Sequence, residues 1–241
     1  MGKIKKRDKK IKYLIIIFVV LLFSALVLSV RVGTVTVSGN SRYASEQVES
    51  IIFDTKMSRN SVYCYFQYRF RPHKQIPFVE DYKIVFRSPT EVEIIIYEKS
   101  VVGYVSYMNS LMYFDKDGII VESSSDLLPG IPLVTGLKFG HIVLHRPLPI
   151  ENSKVFEEIL NLTQLLSVFE IGVDEIHYNN NREAQLTIGN LKVMLGDNRE
   201  MNGKVSELND ILDSYKELDG MLYLDTYDAN NANPMYRFQK R

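Results

Sequence analysis

The chain has 241 residues, 46% hydrophobic and 24% charged, with 29 Lys and Arg balancing 29 Asp and Glu, one cysteine and no tryptophan. A lone Cys64 cannot form an internal disulfide, so the fold must rest on core burial, which this length supplies as one or two domains. The neutral total hides an asymmetry that argues against nucleic acid as a partner. Residues 1–12 carry seven basic side chains against Asp8, while the remainder has 22 basic and 28 acidic residues and lacks the clustered cations that phosphates need.

The first predicted element is a transmembrane helix over Tyr13–Val30, eighteen residues without charge, Pro or Gly, fourteen of them Leu, Ile, Val or Phe. Such a helix rises about 27 Å, close to the ~30 Å hydrocarbon thickness once Lys12 and Arg31 snorkel at its ends. The basic residues 1–12 predict a cytoplasmic tail, with everything after residue 30 outside the cytoplasmic membrane in a single-pass, type II arrangement. A buried core helix would show a polar stripe. A cleaved signal peptide would have a shorter apolar region and a small-residue exit site, for which Val27-Leu28-Ser29 is a poor substitute.

The alternation of Val35 and Val37 with Thr34, Thr36 and Ser38 predicts a strand, ended by the turn Gly39-Asn40-Ser41. Ser45 is placed to cap a helix through Phe53, with Val48, Ile51 and Ile52 on one face. A second helix, Ser61 to Arg71, rests on the spacing of Val62, Phe66 and Phe70 and on Pro72 as its stop. The stretch Asn60 to Gln75 is unusually aromatic. Tyr82, Ile84 and Phe86, then Val92, Ile94 and Ile96, predict two strands joined at Ser88-Pro89-Thr90. This strand–helix–helix–strand–strand order is that of a small mixed sheet with helices over one face.

The rest reads as strand-rich. Strands are expected at Val101–Tyr107, Leu111–Phe114 and Ile119–Val121, the last after a hairpin turn at Asp115-Lys116-Asp117-Gly118. A Pro- and Gly-rich stretch from Leu128 to Pro149 precedes a helix over Ser153–Val168. Strands follow at Val173–His177, Ala184–Ile188 and Leu191–Leu195. A helix over Gly203–Leu218 has Val205, Leu208, Ile211, Leu212 and Tyr215 on its core face. Met221–Asp225 is a last strand before a loose Asn-rich end.

No catalytic constellation emerges. His141 and His145 have helical ligand spacing but sit among Gly140, Pro147 and Pro149, and no Glu completes a zinc motif. The Asp115–Gly118 run lacks the third acidic position of a calcium loop. Cys64 in an aromatic helix reads as a small buried thiol. Asp174, Glu175 and His177 read as a solvated strand edge. Catalytic, cofactor and metal residues are therefore expected to be none.

An ordered set of short motifs runs along the chain: Val35-Thr36-Val37-Ser38-Gly39-Asn40, Arg87-Ser88-Pro89-Thr90-Glu91-Val92-Glu93-Ile94, Glu98-Lys99, Tyr113 to Gly118, Leu128-Pro129 through Leu133-Val134-Thr135-Gly136, and Leu195-Gly196 with Lys204 and Leu208. In these motifs and in layout the chain resembles the FtsQ/DivIB family of bacterial cell-division proteins. Two features depart from the family: Val101-Val102-Gly103 stands where Pro-Val-Ala is common, and the Asn60–Gln75 stretch is richer in aromatics. The resemblance implies an α+β fold with a single N-terminal transmembrane helix, a POTRA domain (β-α-α-β-β), then a mixed α/β β-domain. The corresponding boundaries are a tail at 1–12, a span at 13–30, POTRA at 32–98, β-domain at 99–227 and a flexible tail at 228–241. The implied function is that of a non-enzymatic divisome scaffold at the septum, with no small-molecule substrate. Its implied partners are FtsL and DivIC/FtsB-like small coiled-coil proteins and septal synthase components. The physical mode expected is strand addition at a free sheet edge, which maps to Met221, Leu222, Tyr223, Leu224, Asp225, Thr226 and Tyr227. The rival reading is a membrane-anchored cell-wall hydrolase or protease, which would need His141, His145 or Cys64.

Overall fold

The computed structural model describes residues 2–215, 218–231 and 235–240, with the side chains of residues 2–11 and Leu28 left aside. The chain divides into two compact units, residues 1–98 and 99–241.

The first unit opens with α1, Gly2–Ser29, whose helix already includes most of the basic segment. Among the described residues, no helix is long and apolar enough to cross a membrane. The expected transmembrane span is corrected accordingly.

Strand β1 (Thr34–Ser38), helices α2 (Ser45–Ile52) and α3 (Ser61–Phe70), and strands β2 (Val79–Ser88) and β3 (Glu91–Glu98) complete the unit. The sheet order is β1-β3-β2, with β1 parallel to β3 and β2 antiparallel to it. The period-two burial of β3 explains its central place: Val92, Ile94 and Ile96 are buried on one face, against Val48 and Ile52 of α2 and Cys64 of α3. The opposite face is polar, where Arg87 pairs with Glu93 and the Lys83 ammonium lies over the Tyr97 ring. Helix α2 begins one residue earlier than Ser45 would set it. Ala44 is the boundary residue, and its amide donates to Gln47 Oε1 at 2.9 Å. Asn60 caps α3, its Oδ1 accepting from the Tyr63 amide at 2.9 Å. Its Nδ2 also donates to the carbonyls of Val27 and Val30 at the end of α1. One side chain thus bonds backbone groups at the end of one helix and the start of another.

The second unit contains β4 (Gly103–Tyr107), β5 (Ser110–Phe114), β6 (Ile120–Ser124), β7 (Leu133–Thr135), α4 (Ser153–Val168), β8 (Glu175–Tyr178), β9 (Ala184–Ile188), β10 (Leu191–Gly196), α5 (Met201–Ser214), β11 (Gly220–Tyr223) and β12 (Arg237–Lys240). All nine strands form one sheet, ordered β12-β11-β10-β9-β8-β7-β4-β5-β6. Val155, Ile159, Leu162 and Leu166 of α4 and Met201, Val205 and Leu208 of α5 pack on one core with Ile176, Leu186 and Val193 of the sheet. The β5–β6 turn is the expected hairpin turn, with Asp115 Oδ1 accepting from the amides of Asp117 and Ile119. Strand β7 was not anticipated. It is held in parallel between β4 and β8 and ends at Gly136, which has φ +82°; a Cβ there would meet the Tyr178 carbonyl oxygen. Helix α5 starts earlier than predicted, and Tyr215 is a 62% exposed C-cap residue rather than part of the core; Lys216 and Glu217 of the predicted helix lie outside the described residues.

Candidate functional site at a sheet edge

The residues expected to offer a free edge occupy the second strand from the border of the large sheet. Met221, Leu222 and Tyr223 lie on β11, which pairs in parallel with β10 (Val193 opposite Leu222) and antiparallel with β12 (Leu222 opposite Phe238). Leu222 and Leu224 are buried, Tyr223 is half-buried, and Asp225 and Thr226 are exposed in a turn. Tyr227 is an anchor rather than a displayed side chain, because its ring lies where a Cβ on Gly203 of α5 would stand. The backbone on the outer side of β11 is therefore already engaged. The correction has a local cause in residues 228–241, expected to be a flexible tail. Asp228 starts a turn, accepting from the amides of Asn230 and Asn231, and the chain returns as β12. Asn230 and Asn231 of the expected loose stretch are described, while residues 232–234 lie outside the described residues.

Several contacts fix β12 in place. The Arg237 guanidinium carbon sits 3.6 Å from the centroid of the Tyr223 ring, its register partner. Tyr236 packs against the core, and burial, followed by the Glu207 carboxylate and Tyr227, pushes its hydroxyl up to about 12. Gly220, at φ +147°, lets β12 approach: a Cβ there would stand 2.2 Å from the Gln239 carbonyl oxygen. Behind β11, the buried Lys204 ammonium donates to the Asp197 carbonyl at 2.8 Å and ties the β10–α5 turn. Burial lowers its pKa, opposed by the nearby Asp197 carboxylate. All four β12 residues are exposed, and among the described residues no strand lies beyond it. An edge of this kind presents a row of unpaired N–H and C=O groups that an extended peptide can match.

The groups considered for chemistry do not form a catalytic arrangement. Cys64 is buried, and burial pushes its thiol up to about 11, away from the thiolate that reactivity needs. His141 Nδ1 bonds the Tyr107 hydroxyl at 3.0 Å, and His145 is a turn residue at φ +60°. Among the described residues no three His, Cys, Asp or Glu side chains converge as metal ligands would. Glu175 and His177 were expected on a solvated edge. They lie instead on β8, an inner strand, where the Thr135 hydroxyl donates to Glu175 Oε1 and meets His177 Nδ1, both at 2.7 Å. The carboxylate there accepts the hydroxyl's hydrogen bond and does not orient the imidazole, which is not the geometry of an activated nucleophile.

Sequence reasoning missed Arg237–Lys240 because Asn230–Pro234 reads as the end of ordered chain. Tyr236 and Phe238 were the available signal, two alternating aromatics beyond that break. No family model matches the chain. It is similar to the cell division protein DivIB of Clostridium acetobutylicum, with 22% identity over 217 residues, covering 86% of this chain and 82% of that protein. Neither compact unit is long enough to supply that coverage alone, so the likeness extends across both.

Proposed function

We propose that the chain is a non-enzymatic scaffold of the bacterial division machinery, associated with the septum, which takes an extended segment of a partner along the outer border of β12. The observation that carries this reading is the sheet order, which ends on the exposed strand β12 with no strand on its outer side among the described residues. The likeness to a DivIB protein supports the division role. In this reading residues 32–98 are a POTRA domain and residues from 99 onward the β-domain. The partners are FtsL and DivIC/FtsB-like coiled-coil proteins, and the assembly positions septal peptidoglycan synthesis. Backbone hydrogen bonds along β12 supply affinity, and side chains such as Phe238 supply selectivity.

The test is hydrogen exchange of the full chain with purified coiled-coil partners. Amides of residues 236–240 should exchange more slowly on binding. Gln239→Pro, which removes a donor and stiffens the border strand, should weaken binding at least tenfold with unchanged circular dichroism. Tight binding with unchanged exchange at 236–240 would refute the assignment.

A further inference from the structure

The aromatic stretch that no part of the scaffold reading uses turns out to have two faces. On α3, Ser61 and Cys64 face the core, with Tyr68 packed partly against it. The stripe Val62, Tyr65, Phe66, Arg69 and Phe70 points away from the core, and Tyr65, Phe66 and Phe70 are 50%, 55% and 71% exposed. Their rings are mutually ordered: Phe86 against Tyr65, Tyr65 against Phe66 and Phe66 stacked on Phe70, with centroids 5.8–5.9 Å apart. The Arg69 guanidinium lies over the Phe70 ring. Beside them an apolar groove of about 370 Å³ runs between Val62, Tyr65, Phe86 and Pro89 on one side and Leu26, Val27 and Val30 at the end of α1 on the other.

We propose that this face of α3 docks on an anionic lipid surface, with its rings at the headgroup–acyl boundary and Arg69 and Arg71 among the phosphates. Three observations select that occupant. Residues 55–79 hold five Lys or Arg and no Asp or Glu, in a chain whose remainder after residue 12 is net acidic. Arg59 and Lys74 pair with Glu49 and Asp54, and none of the described ion pairs takes up Arg69 or Arg71. A second copy of the same face would bring those arginines against their equivalents. The groove is continuous with α1, whose apolar side chains from Tyr13 to Leu26 are also exposed, so the apolar surface extends over two elements. Aromatic rings interspersed with snorkelling cations suit the interfacial plane of a bilayer. The inference is independent of the division reading.

The chain lacks tryptophan, so Phe66→Trp gives a lone indole reporter in the full chain. With vesicles carrying brominated acyl chains, its emission should shift to the blue and be quenched. The effect should be stronger with phosphatidylglycerol present than with phosphatidylcholine alone. Neutralising Arg69 and Arg71 to Gln should reduce the anionic preference by about fivefold per residue. Phe70→Trp repeats the measurement one turn on, and Tyr97→Trp, on the polar face of the sheet, should stay unquenched. A chain that floats with the vesicles while the indoles at 66 and 70 stay unquenched overturns the proposal. So do equal quenching at 97, a blue shift that grows with protein concentration without lipid, or a shift produced only by an acidic protein.

Discussion

The two units place their unsatisfied surface in different currencies. Unit 1 has a core of a dozen buried side chains among the described residues and leaves three ordered aromatic rings outside it. Unit 2 buries two dozen, and its exposed apolar residues, such as Met108, Leu127 and Val168, are scattered along the chain with only Val143 and Leu144 adjacent, while the outer border of β12 is left without a neighbour among the described residues. Recognition through side chains is sensitive to what those side chains are. Recognition through a backbone edge tolerates most substitutions and fails mainly with proline.

The sharpest way to break this comparison is to cut equal holes in the two cores. Ile94 and Ile176 are both fully buried on inner strands, and replacing either with Ala should cost about 2–5 kcal/mol. In the smaller core the loss is a larger share of the total. Hydrogen exchange of Ile94→Ala should therefore show protection lost throughout residues 79–98, whereas Ile176→Ala should leave most of its sheet protected. Equal loss in both units would mean that core size does not set their separate stabilities.

A smaller effect tests how α1 and α3 are joined. Asn60→Ala removes the α3 cap and the donors to Val27 and Val30, so chemical denaturation of unit 1 should shift by about 1–2 kcal/mol. Asn60→Asp keeps the acceptor and loses the donors, and should recover only part of the loss.

The smallest effect is confined to acid. Burial raises the Glu98 pKa, but the Ser41 hydroxyl, the amides of Arg42 and Ser41 and the Arg42 guanidinium outweigh it and hold the carboxyl below its ordinary 4.5. The folded form thus binds the proton less readily than the unfolded one. The resulting stability is fully present above pH ~4.5 and is lost as pH falls through the lowered value. Glu98→Gln should flatten the stability of unit 1 between pH 5 and 3, measured by urea titration at each pH, with little effect on unit 2.

Much of the fold was legible because period-two and helical burial dominate its elements. Val92, Ile94 and Ile96 announce β3, and the predicted span of α4 coincides with the observed helix. The losses came where local pattern was too short or ambiguous. Strand β7 has three residues, and its place depends on parallel neighbours distant in sequence. In α3 the stripe Val62, Phe66, Phe70 correctly signalled a helix, yet the core side is the one bearing Ser61 and Cys64, so periodicity revealed the element and not its orientation. The edge was placed one strand too early because an Asn-rich turn looks the same whether or not the chain comes back.

The parallel union of β1 with β3 has a consequence for the order of assembly. Thr34–Ser38 find their partners some 57 positions later, at Glu91–Ile95, whereas β2 and β3 are joined by a tight turn. The antiparallel pair can close early by local search, but the first strand must wait for both intervening helices to settle before it can dock. A nascent chain stalled before residue 91 should therefore leave β1 without a place in the sheet.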